Sequence, residues 1–64
     1  MKLKDFLKVM NKDEFICLGI SMHGMQFETR HSVSFYLDNG DELNNMEIMS
    51  VYTRDGEMHV RLKD

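Results

Sequence analysis

The stretch YLDNGDELNN, Tyr36 to Asn45, decides how this chain folds. It holds three carboxylates, three amides and a glycine, and no lysine or arginine occurs between His31 and Arg54. Two structures compete for it. Asn39-Gly40 is a hairpin signal, and Val33, Phe35 and Leu37 alternate before it. Pairing across that turn would set Asp38 against Asp41 and core-facing Leu37 against Glu42. Like charges would then oppose each other and a carboxylate would enter the apolar face. The rival reading makes Ser32 an N-cap, puts Val33, Tyr36 and Leu37 on one helical face, and ends with Asn39-Gly40 as a left-handed C-cap. The pattern favours the short helix, with a hairpin or a loop as the alternatives.

On the N-terminal side, Leu3, Phe6, Leu7 and Met10 fall at i, i+3, i+4 and i+7, the stripe of an amphipathic helix expected to end near Asn11. In EFICLGISM, Ile16, Leu18, Ile20 and Met22 alternate with Phe15, Cys17, Gly19 and Ser21, which predicts a strand with the Ile/Leu face on the core. Gly24 marks a turn and Met25 to Arg30 a second strand. On the C-terminal side, Asp55-Gly56 between MEIMSVYT and MHVRLK signals a two-residue type I′ hairpin. Ile48 and Val51 have opposite parity, so that hairpin either buries part of both faces or contains a bulge.

The expected architecture is one α+β domain over residues 1–64. An N-terminal amphipathic helix packs on a small, mostly antiparallel four-stranded sheet, with a short helix or loop before the C-terminal hairpin. One long helix covers one face of such a sheet. The other would display Phe15, Cys17 and Tyr52, an apolar patch that a soluble monomer rarely leaves open. A chain of 64 residues also buries only about 60% of its unfolded surface and draws roughly 3 to 5 kcal/mol from its core. A homodimer is the expected remedy, because the single cysteine rules out an internal disulfide. That lone thiol, with no signal-peptide pattern or long apolar run, points to the cytosol.

Candidate chemistry is sparse. Counted from Asp38, the sixth position of a calcium loop is Leu43 and the glycine comes third, so the EF-hand pattern fails. Cys17, His23, His31 and His59 show none of the close ligand pairs of structural zinc sites, and no metal or other cofactor is expected. His23 and His31 are assigned to turns and His59 to the wet side of the last strand. No catalytic residue is assigned: Cys17 sits in mid-strand among apolar neighbours, and the four glycines form no phosphate loop. The chain is expected not to be an enzyme.

Charge is the better guide. Residues 1–12 carry four lysines against Asp5, a surplus of +3, so the net −3 leaves −6 on the remaining 52. Lys4, Lys8 and Lys12 recur at i, i+4 and i+8 and would form a basic stripe if the helix reached that far, the basis for a small nucleic-acid-binding regulator. Asp38, Asp41, Glu42 and Glu47, with Asn39, Asn44 and Asn45 nearby, form an acidic surface. Such a surface steers toward an arginine- and lysine-lined channel, with carboxylates taking the place of phosphates. Its bland counterpart is a solvating loop.

MKLKDFLKVMNKDEFICL and YLDNGDELNNMEIMSVYTRDGEMHVRL together resemble a loose group of small proteins encoded by bacteriophages and prophages of Gram-positive bacteria. The likeness rests on Leu3, Phe6, Leu7 and Met10, on Tyr36, Leu37 and Asp38, and on Glu47, Ile48, Ser50, Val51, Tyr52, Asp55, Gly56, Met58, Val60 and Leu62. Residues 21–34 depart from it. The resemblance implies the helix, strand and final hairpin, and no catalytic motif. Members of known role bind and inhibit host machinery, including CRISPR nucleases, restriction enzymes and polymerases. The expected function is therefore non-enzymatic, anti-CRISPR-like inhibition of a host protein or ribonucleoprotein complex. Tyr36, Asp38, Asp41, Glu42 and Glu47 form the expected partner surface, with Tyr36 as aromatic anchor. A nucleic-acid-binding regulator and a structural or assembly component of a phage are the alternatives, and no membrane contact is expected.

Overall fold

A computed structural model describes residues 1–63, Met22 by its main chain alone. The elements run α1 (Leu3–Lys8), β1 (Phe15–Met22), β2 (Met25–Ser32), α2 (Val33–Asn39), α3 (Asp41–Asn44), β3 (Glu47–Arg54) and β4 (Glu57–Lys63). The strands form one mixed sheet in the order β2-β1-β4-β3. Its two outer pairs are antiparallel hairpins, while central β1 and β4 run parallel, pairing Ile16 with Met58, Leu18 with Val60 and Ile20 with Leu62.

Both hairpins turn on two residues with positive φ, His23 (54°) with Gly24 (76°) and Asp55 (54°) with Gly56 (78°). This is the type I′ geometry, whose twist matches that of the strands it joins. The parity conflict in β3 is resolved by a bulge between Ile48 and Ser50, so that Ile48 lies opposite Leu62 and Val51 opposite Val60.

The core lies on one face of the sheet. Ile16, Leu18, Ile20, Val60 and Leu62 from the strands meet Leu3, Leu7, Val33 and Tyr36 from the helices. The helix α1 stops at Lys8, three residues short of Asn11, with its last turn tightened by bonds from Val9 N to Phe6 O (3.3 Å) and Met10 N to Leu7 O (3.2 Å). Asn11 gives the reason. Its side chain accepts from Asp13 N at 3.0 Å, a local turn that competes with helix propagation.

Between Ser32 and Asn45 the chain is helical, in two pieces. Ser32 caps α2, its hydroxyl accepting from Phe35 N at 3.2 Å. Gly40, however, is not a left-handed cap: it has φ −107° and ψ 42°, and α3 begins at the next residue. Close approach is what requires glycine there, since a Cβ would lie 2.7 Å from the Tyr36 carbonyl oxygen. Strand β2 is also longer than its sequence pattern implied. His31 pairs with Ile16 inside the strand instead of lying in a turn, and its ring stacks on Phe35 with centroids 3.9 Å apart.

Candidate functional site

Asp38 lies in α2, Asp41 and Glu42 open α3, and Glu47 opens β3; all four are exposed. Glu47 receives the Met1 ammonium at 3.0 Å. Among the described residues, Asp38, Asp41 and Glu42 have no ion-pair partner. The neighbouring amides are occupied within the fold. Asn39 donates to Phe35 O (3.1 Å), Asn44 to Tyr36 O (3.0 Å) and Asn45 to Asp41 O (3.1 Å).

Tyr36 does not belong to this surface. It is 2% exposed, because the face of α2 that buries Val33 also carries the residue three positions on. Its hydroxyl meets that of Thr29 at 2.8 Å. The exposed aromatic beside the acidic segment is Phe35, at 40%. The basic stripe is broken as well. Lys4 and Lys8 are on α1, but Lys12 lies beyond its end, and its main-chain carbonyl accepts from Ser34 N at 3.1 Å.

A second constellation occupies the sheet face away from the helices. Strand register lines up Arg30, Cys17, His59 and Tyr52 in one row across β2, β1, β4 and β3. Glu57 lies two residues before His59, hence on the same side of β4. Its carboxylate joins the row through both oxygens: Oε1 accepts from Arg30 Nε at 3.1 Å and Oε2 from Cys17 Sγ at 3.3 Å. The Tyr52 and His59 rings stack 5.0 Å apart and 8° from parallel. Arg30 lies over the Phe15 ring, 4.7 Å from its centroid. The face expected to be an apolar patch of Phe15, Cys17 and Tyr52 thus gives each of those residues a polar or charged partner.

The electrostatics follow from this packing. Desolvation, then the hydrogen bond and negative charge of Glu57, push the Cys17 thiol above its ordinary value. The bond from Cys17 and the Arg30 charge hold Glu57 below the usual carboxylate range. A thiol kept protonated is a weak nucleophile. Sulfur, carboxylate oxygen and imidazole nitrogen nevertheless converge: one donor atom each from Cys17, Glu57 and His59 lies within 4.8 Å of the others. The adjoining recess, bounded by Glu28, Tyr52 and Arg61 among others, has a volume of about 10 Å³, room for roughly one water molecule.

Sequence spacing missed this cluster because Cys17 is forty residues from Glu57 along the chain. The only local trace was Glu57-x-His59, two potential ligands on one side of a strand. No family model, curated protein or solved structure matches this chain.

Proposed function

We propose that this chain acts by binding another macromolecule, as an inhibitor of a host nucleic-acid-handling complex of the anti-CRISPR kind, with the α2–α3 segment and the start of β3 as its contact surface. One observation supports this reading above others: Asp38, Asp41 and Glu42 project as exposed carboxylates, unpaired among the described residues, from a stretch, residues 32–53, that contains no lysine or arginine. Charges already neutralised by internal partners contribute little to steering; unpaired ones act at the full strength that salt allows. Phe35 takes the anchor role that the buried Tyr36 cannot fill. The resemblance to small phage proteins agrees with this function and adds its choice of partner. A nucleic-acid regulator using Lys4, Lys8 and Lys12 is less favoured, because the three lysines do not share one helix.

The test is binding to a CRISPR nuclease loaded with guide RNA, read together with inhibition of DNA cleavage. Wild-type chain should bind with an affinity that falls as salt rises. Replacing the four carboxylates together (D38N, D41N, E42Q and E47Q) should weaken binding at least about tenfold and flatten that dependence. Undiminished binding by the substituted chain would remove the acidic surface from the reading. Gel shifts of bare DNA or RNA by the wild-type chain would favour the regulator instead. Sedimentation over a range of concentrations tests the homodimer that so small a core leads us to expect.

A further inference from the structure

We propose that Cys17, Glu57 and His59 form a binding site for a divalent transition-metal ion of the zinc class, with one coordination position open to the solvent side of the sheet. The donor set selects the ion. Thiolate and imidazole suit zinc and its neighbours, whereas calcium and magnesium take oxygen almost exclusively. The spacing fits as well. Donors on a tetrahedral zinc, at bond lengths of about 2.0 to 2.3 Å, lie roughly 3.3 to 3.6 Å from one another. Cys17 Sγ and Glu57 Oε2 are already 3.3 Å apart, and all three donors lie within 4.8 Å. Small side-chain rotations close the remainder.

The scaffold is suited to holding such an ion. Cys17 and His59 are register neighbours on the two central strands, whose main chains are paired on both sides. Two groups beyond the donors orient them in the manner usual around metal ligands. Arg30 holds Glu57 through Oε1, leaving Oε2 free to turn from the thiol to the metal. The Tyr52 ring, stacked on His59, limits rotation of the imidazole. On coordination a metal–sulfur bond replaces the S–H bond, and the thiol proton passes to solvent. The thiolate and Glu57 then supply two negative charges that neutralise the divalent ion, and the charge of the half-exposed Arg30 is left to solvent.

The experiment uses the tagless, reduced chain of 64 residues stripped with a chelator and titrated with cobalt(II), then zinc. Expected are one cobalt per chain, a near-ultraviolet thiolate-to-cobalt charge-transfer band, and loss of that band as zinc displaces cobalt. Zinc should also slow alkylation of Cys17 by iodoacetamide, a readout on the wild-type chain that survives if variants misfold. Cys17→Ser should abolish the band, and His59→Gln should weaken affinity by more than about tenfold. Arg30→Gln should weaken it by about 10- to 100-fold, as removal of an orienting partner does. His23→Gln, in the exposed β1–β2 turn, should leave binding unchanged. Absence of the band with no protection of the thiol overturns the site. So does binding that needs His23 and not His59, or one ion shared by two chains.

Discussion

Asn44 Nδ2 donates to the main-chain carbonyl of Tyr36 at 3.0 Å, and the same oxygen accepts from Gly40 N at 2.9 Å. One carbonyl thereby ties the end of α2 to the end of α3 and sets the angle at which the acidic residues leave the body. Asn44 is 9% exposed, and its Oδ1 has no hydrogen-bond partner among the described residues. Asn44→Ala should therefore cost only about 1 kcal/mol, because it loses one bond but also removes an unpaired oxygen, and Tyr36 O keeps its Gly40 donor. Asn44→Asp, which turns the donor into a buried charge, should cost more than about 2 kcal/mol. Urea unfolding of the two variants checks the order, and an Asp variant as stable as the Ala one would contradict it.

Glycine substitutions separate two physical causes. At Gly24 and Gly56 an added Cβ would meet nothing within 4 Å, but φ is +76° and +78°, so alanine there should cost about 1 to 2 kcal/mol from backbone torsion alone, and nearly the same at both. At Gly40 the torsion is permissive and the contact is not: a Cβ 2.7 Å from a helix carbonyl forces the α2–α3 junction apart. Gly40→Ala should cost about 1 to 3 kcal/mol, as overpacking does. It should also leave both hairpins intact, which amide exchange measured strand by strand can verify.

Burial pushes the Tyr36 phenol above its ordinary value of 10.0, with the Thr29 hydrogen bond opposing in part. A group whose folded-state value is raised contributes stability that is complete below the unfolded value and is lost as pH climbs through the folded one. Stability should thus begin to fall near pH 10 as the unfolded chain ionises first. Tyr36→Phe should cost about 1 kcal/mol at neutral pH for the lost hydroxyl bond and should show a shallower alkaline decline. Unfolding curves from about pH 8 to 11 decide this; parallel declines in the two proteins would show that Tyr36 is not the group responsible.

Much of the fold was legible residue by residue. Alternation in Ile16, Leu18 and Ile20, the Asp55-Gly56 turn, the Ser32 cap and the conflicting parity of Ile48 and Val51 each report a local constraint, torsional or periodic, that acts over a few residues. The end of α1 was misjudged because the apolar stripe continues to Met10, while the turn made by Asn11 interrupts the helix first. Tyr36 looked like surface because an acidic neighbourhood surrounds it in sequence. Its burial follows instead from the face of α2 that Val33 selects.

The sequence by itself determined the strands, the two-residue hairpin turns, the start of α2 and the exposed acidic segment, since these depend on neighbours along the chain. Only the tertiary structure decided that β1 and β4 lie side by side in parallel, because pairing between strands some forty residues apart is set by how the helices and hairpins bury a shared core. From that pairing comes the meeting of Cys17 with Glu57 and His59, a thiol and a two-ligand strand pair with no local relation to it, which one strand register places around a common point.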